Sequence, residues 1–492
     1  MTLSKDIYNA FEDVVGAENI CSESVILPSY HSTAHEAVIL PGNTEEVQAI
    51  VKLCNKYKLK FVAISTGLIR GKLHPGIIYL DMKRMNHIIE INEKNMYAVV
   101  EPYVISAELQ AELMKRGLNC NVKGSGSSCT AILRGHGHMD MSTGGDDRNQ
   151  LALEWVTSTG DIVRIGSLGS SGDWFCGDGP GPSLRGIQSG RGMDNSMGVI
   201  TKAAMKLYHW PGPARFPLEG SSPTYTLKEI PPNFLVRYFS FPSQEKMYEA
   251  ELKIGETEIS FELMGFNMAM VASNISPTAE VEMENYERLR KLVNGPGFVL
   301  IIAANSLGEF EYDQRVLNKI ISETGGKSLE AVEDPKIAGI LLFHGVRISA
   351  SIRETFRFRA PGGAGHGFPI MGQRDLNMKW MQEAARRKSI LINKGLAADD
   401  GGVFFGWGVE HGHLGKTEIF CDPSEDPESV KAVEAWQDEV AMLALDGFYA
   451  VPIHISTNII GPRVSNYHLW AKKFTDAFDP NGVAAKLGSL MG

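Results

Sequence analysis

Apolar positions recur along the chain in two rhythms, and their alternation outlines an α+β protein. The stretch AVILPGNTEEVQAIVKLCNKY (37–57) opens on a continuous apolar run and turns at Pro41-Gly42. It then spaces Val47, Ile50, Val51 and Cys54 at helical intervals. Thr44 is read as the N-cap, with Glu45 and Glu46 suited to the electropositive first turn. The buried-strand run FVAI (61–64) follows, so the chain opens as a βαβ unit. IIYLDM (77–82) and YAVVEP (97–102) are further strands, and SAELQAELMKRGL (106–118) is a helix with Leu109, Leu113 and Met114 on one face. LALEWVTSTGDIVRIG (151–166) predicts a hairpin around Thr159-Gly160-Asp161. GVITKAAMKLYHW (198–210) is a long strand ended by Pro211-Gly212-Pro213.

Beyond that Pro/Gly cluster the apolar runs FLVRYFSF (234–241), FVLIIAA (298–304) and GGVFFGWGV (401–409) alternate with amphipathic helices such as NYERLRKLV (285–293) and MQEAARRKSILINKG (381–395). This spacing predicts an antiparallel sheet with helices on one side. The last helix, in YHLWAKKFTDAFDPNGV (467–483), is stopped by Asp479-Pro480-Asn481-Gly482. The expected division is a first domain over 1–218, a second over 219–451, and a return of 452–492 to the first.

The totals narrow the function classes. A chain of 492 residues exceeds one ordinary core and implies at least two domains. A net charge of −10 disfavours nucleic acid as a partner. No apolar run reaches the length of a membrane span, and the opening MTLSKDIYNAFEDVVG has early acids and no apolar centre, so neither a span nor a secretory signal is expected. The six cysteines (21, 54, 120, 129, 176, 421) form no C-x-x-C pair. Free thiols in a reducing, cytoplasmic compartment follow, without a zinc ribbon or iron–sulfur cluster.

Three Gly-rich segments abut the strands of the first half. Ser65, Thr66, Gly67, Arg70, Gly71 and Lys72 follow a buried strand, where free backbone donors suit an anion such as pyrophosphate. GSGSSCTAILRGHGHMDMSTGG (124–145) and GDGPGPSLRGIQSGRGMDNSMG (177–198) let backbone approach a flat ligand closely. Three such segments in one region imply an extended cofactor.

In order and spacing, VAISTG…GIIYLDMKRMNHIIEINEKNMYAVVEP, LRGHGHMD…GGDDRNQLALEWVTSTGDIVRIG, GPSLRGI…NSMGVITKAAMKLYHWPGP and the closing FDPNGV resemble the vanillyl-alcohol oxidase / p-cresol methylhydroxylase family over nearly the whole chain. The resemblance implies a two-domain flavoprotein: an FAD-binding domain plus a cap with an antiparallel sheet and helices. It assigns the pyrophosphate to Ser65, Thr66, Gly67, Arg70 and Gly71, and the rest of the FAD site to Glu101, Pro102, Ser127, Gly135, Gly137, Gly145, Asp146, Val199 and Ile200. His366, in APGGAGHGFPI, stands where a histidine of covalent family members bonds the flavin. An unlinked active-site histidine and a structural one are the alternatives.

The chain departs from the phenol-oxidising members in places. Leu68-Ile69-Arg70-Gly71-Lys72 lacks the tyrosine expected after the pyrophosphate loop, and DGFYAVPIHI keeps Tyr449 but has Ala450 where an arginine is expected. The related 2-hydroxyacid dehydrogenases hold a divalent metal with a wider histidine pair and a glutamate. Phe420 stands seven positions past His413, and Ile453 precedes His454, so no metal is expected. His411 and His413, if on a strand, share a face, and His136 and His138 form a second H-x-H. Arg347, Arg353, Arg357 and Arg359 can hold a carboxylate or line a solvated sheet face.

The expected reaction is hydride transfer from a substrate C–H to the flavin, with Tyr449, Glu410, His413 and His138 as candidates to hold the substrate oxygen or take the proton. The substrate is read as a benzylic or phenol-type alcohol or alkylphenol. A 2-hydroxyacid dehydrogenase and a non-catalytic flavin electron-transfer subunit are the alternatives. Electrons would pass to oxygen or, preferably, to a partner such as an electron-transfer flavoprotein or cytochrome, and the chain is expected to form a homodimer or higher oligomer.

Overall fold

The computed structural model describes residues 3–23, 35–64, 76–120, 130–132, 141–143, 149–166, 172, 174, 197–220, 226–266, 268–276, 279–293, 295–346, 369–397, 404–409, 411–412, 414–419, 421, 423, 426–447, 451–452 and 466–485.

The βαβ opening forms, with one strand inserted. His35–Ile39 and Lys60–Ile64 are joined by the helix Thr44–Tyr57, and Ile77–Asp81 lies between them, parallel to both, in a 4-stranded sheet. The helix cap is Asn43 rather than Thr44. Its side chain accepts from the Glu46 N–H at 2.8 Å, and Glu46 Oε2 reaches back to the Gly42 N–H at 2.7 Å. Asn in extended backbone one residue before the helix is the better cap, and Glu46, three residues on, closes a reciprocal box.

A 6-stranded sheet packs beside it, with Gly198–His209 as its central ladder between Tyr97–Val100 and Gln150–Thr157. The predicted hairpin is present, Gln150–Thr157 pairing with Ile162–Ile165 around Gly160, where φ is 87°. Ala37, Ile39, Phe61, Ile78 and Leu80 from the first sheet share one core with Val156 and Val199 from the second. Glu154 adds a polar tie. Its buried carboxylate accepts from Thr44 Oγ1 (2.8 Å), Thr201 Oγ1 (3.2 Å), Lys202 Nζ (2.8 Å) and Arg164 Nε (3.2 Å). Burial pushes its pKa up, but the bonds from Lys202, Thr44 and Arg164 outweigh that and hold the carboxyl below its usual range.

The second half is an 8-stranded sheet whose strand pairs are all antiparallel. Helices cover both of its faces, not one. Val236, Tyr238, Val299 and Ile301 pack under Met268–Ile275 and Pro335–Val346, while Phe239, Phe298, Leu300 and Ile302 pack under Gln244–Thr257, Leu307–Thr324, Arg374–Asn393 and Pro427–Gly447. Strands such as GFVLIIA, buried along almost their whole length, need two covers. The chain end also does more than stop a helix. Asp479 accepts from the Val483 and Ala484 N–H groups, and the tail then pairs with the first sheet, Phe61 N–H donating to Val483 O (2.9 Å) and Ala485 N–H to Phe61 O (2.8 Å).

Candidate functional site

The first wall of the site is the carboxyl edge of the parallel sheet, where Ile64 pairs with Asp81. Ligands of open α/β sheets bind outside such strand ends. Asp81 is itself occupied, since its carboxylate accepts from the Lys83 N–H at 3.1 Å and pairs with Lys83 Nζ at 3.5 Å.

The second wall is the start of the long strand, Gly198-Val199-Ile200. Gly198 has φ 115°, and a Cβ built there would lie 2.1 Å from Val156 O and 2.8 Å from Trp155 Nε1. Only glycine permits this approach. Trp155 donates its Nε1–H to Met197 O at 2.8 Å and stacks on Phe478 with ring centroids 5.3 Å apart. These contacts fix the chain at the point where the third Gly-rich segment enters the sheet. Val199 lies in the core between the sheets and Ile200 packs on a neighbouring cluster, so a cofactor contact at these positions falls to their backbone.

Glu101 and Pro102 end the strand Tyr97–Val100. The Glu101 carboxylate is held by the His87 N–H at 2.9 Å and by His87 Nδ1 at 2.7 Å. Pro102 is buried.

The cap closes from the other side. Phe404–Val409 and Leu414–Ile419 form a hairpin whose last described pair is Val409 with Leu414. His411, at its tip, has φ 58°, and Gly412 has φ 85°. His411 therefore occupies a left-handed turn and not a strand, while His413 lies outside the described residues. The tip reaches the FAD-type half directly. The His411 N–H donates to Met141 O at 2.9 Å, and the Met141 N–H donates to Glu262 Oε1 at 3.2 Å.

Leu414 pairs with both Val409 and Gln373 at the tip end of the sheet, while Val451 pairs with Met371, level with Lys416. Beneath the hairpin, Arg374 and Glu251 form a buried ion pair, and Asn377 Nδ2 donates to Gly415 O at 2.7 Å.

Of the residues expected from sequence, Glu101, Pro102, Val199 and Ile200 are described. Ser65, Thr66, Gly67, Arg70, Gly71, Ser127, Gly135, Gly137, His138, Gly145, Asp146, His366, Glu410, His413 and Tyr449 lie outside the described residues, as do His136, His454 and the four candidate arginines. Sequence reading passed over Trp155, Gly198, Met141, Gly255 and Glu262. Gly198 carried a signal, a glycine opening an otherwise apolar strand. Glu262 lies on a strand that the sequence reading did not identify, and its burial depends on contacts distant in sequence.

The site is compatible with a dinucleotide such as FAD. Backbone approaches closely at Gly198, and the two acids bordering the strand ends, Asp81 and Glu101, are engaged by other partners. Among the described residues no group of three or more His, Cys, Asp or Glu is arranged to hold a metal ion, and no helix is long and apolar enough to cross a membrane.

Comparison with known proteins agrees with this geometry. Residues 35–166 match the FAD binding domain family. The chain is 30% identical over 216 residues to the flavoprotein subunit of 4-cresol dehydrogenase [hydroxylating] from Pseudomonas putida, covering 38% of this chain and 40% of that protein. It is 24% identical over 324 residues to a D-lactate dehydrogenase from Anaerostipes hadrus, covering 62% of this chain and 64% of that protein. The chain thus spans less than two thirds of the curated relatives it matches. In three dimensions it is similar to substrate-bound p-cresol methylhydroxylase with a TM-score of 0.75 at 17% identity, over 99% of this chain and 97% of the other. The resemblance read from sequence holds at the level of cofactor domain and fold.

Proposed function

We propose that this chain, which carries an FAD-binding domain in the two-domain fold of p-cresol methylhydroxylase, is an FAD-dependent oxidoreductase acting on a phenol-type or benzylic C–H. The likeness to p-cresol methylhydroxylase along the whole chain, cap included, carries the reading. Bound at the strand ends, FAD would accept a hydride from the substrate carbon. In this reading Tyr449 holds the substrate oxygen as negative charge develops, and Glu410, His413 or His138 takes the proton. Glu410 and His413 flank in sequence the hairpin tip at His411, whose N–H donates to Met141 O, and this supports a task for them near that junction.

The electrons would go to a partner protein, an electron-transfer flavoprotein or cytochrome. The relative in Pseudomonas putida is named as one subunit, which supports a partner of this kind. A homodimer or larger assembly is part of the same reading.

A second reading, a 2-hydroxyacid dehydrogenase, is favoured by the D-lactate dehydrogenase match, which covers more of this chain than does the 4-cresol dehydrogenase match. Tyr449→Phe separates the two. With a 4-alkylphenol, turnover is expected to fall about a hundredfold, with flavin content and thermal stability near wild type, because the hydroxyl acts in the transition state. Unchanged turnover would remove Tyr449 from the chemistry. Lost flavin or unfolding would make it a packing residue.

A further inference from the structure

Met141 belongs by sequence to the FAD-binding domain, between His138 and Gly145, yet its side chain is 1% exposed within the cap core, alongside Met247, Ile254, Leu263 and Trp380. Both polar groups of its backbone are taken by the cap. Its N–H donates to Glu262 Oε1 at 3.2 Å, and its C=O accepts from the His411 N–H at 2.9 Å. The approach depends on two special backbones. His411 and Gly412 both have positive φ, and at Gly255, on the helix Gln244–Thr257, a Cβ would lie 1.9 Å from His411 O. Glu262 is 1% exposed, on the strand Glu262–Phe266. A buried carboxyl group is costly to keep unless it is hydrogen-bonded, and here it accepts from the peptide of another domain.

We infer that Glu262 is a positioning residue: with the His411 peptide it latches Met141 to the cap and so joins the FAD-binding half to the cap, at Met141, in the register that cofactor binding requires. The inference rests on the FAD reading above. The same latch registers Met141 against the hairpin tip at His411. Removing the acceptor leaves the Met141 N–H buried and unpaired, and Met141 is then free to withdraw from the cap.

The test compares Glu262→Ala with Glu262→Gln, which keeps an acceptor oxygen. Apoprotein is titrated with FAD by flavin fluorescence, and hydrogen exchange is followed on the peptide containing Met141. Glu262→Ala is expected to weaken FAD binding about tenfold and to speed exchange at that peptide, while Glu262→Gln stays within about threefold of wild type on both. FAD binding in Glu262→Ala equal to wild type would overturn the inference. So would equal damage from both substitutions, which would assign the effect to charge instead of the hydrogen bond. A wild-type chain that takes up no FAD would sink the cofactor reading, while the exchange arm still reports on the latch.

Discussion

Arg374→Ala is expected to cost the cap about 3 to 5 kcal/mol, because it leaves the Glu251 carboxylate buried without its counter-charge. The two side chains are 7% and 2% exposed, and the Tyr248 ring lies 5.8 Å from the guanidinium. Burial pushes the Arg374 pKa down to about 10, so the group is still charged at neutral pH. Glu251 has no hydrogen-bond donor among the described residues beyond this ion pair. The double variant Glu251→Leu/Arg374→Met removes both charges and is expected to return to within about 1 kcal/mol of wild type. Urea unfolding followed by tryptophan fluorescence reads this well, since Trp380 lies on the same helix and donates to Val440 O at 2.9 Å. A single variant costing under about 1 kcal/mol, or a double variant no better than the single, would show that the pair is not held as described.

Gly198→Ala is expected to cost about 3 kcal/mol or more and to reduce FAD retention with it. The new Cβ would meet Val156 O at 2.1 Å and the Thr157 carbonyl carbon at 2.8 Å. These are backbone atoms of the paired strand, so the two strands must part where Val199 and Ile200 begin. Gly172→Ala is the control. Its φ is also positive, 76°, but nothing among the described residues lies within 4 Å of the added carbon, so only conformational strain of about 1 kcal/mol is expected. Equal effects from the two variants, measured by thermal melts and bound flavin, would show that close approach at Gly198 does not shape the site.

Much of the fold was legible because its strands and helices carry strong local periodicity. The helix Thr44–Tyr57, the hairpin at Gly160 and the long strand from Gly198 all lie where apolar spacing and turn residues placed them. Three misreadings have separate physical causes. Asn43 won the cap over Thr44 because capping depends on backbone conformation at one residue. The cap sheet took helices on both faces, which a short apolar run cannot reveal, since one-sided and two-sided burial differ only at alternate positions. His411 sits in a left-handed turn, although H-x-H inside an apolar run looks like a strand. The cofactor was legible as a class, and the match of residues 35–166 to the FAD binding domain family agrees. Glu262, Met141 and Gly255 were not legible, because their roles arise from contacts between segments far apart in sequence.

Anaerobic titration of the purified protein, first with a 4-alkylphenol and then with a D-2-hydroxy acid, tests the central claim most directly. The expected result is loss of the visible flavin absorbance in proportion to added phenol, with little change from the hydroxy acid. Bleaching by the hydroxy acid alone would select the second reading. A flavin left oxidised by both, or a colourless protein that cannot be reconstituted with FAD, would contradict the assignment as a substrate-oxidising flavoprotein.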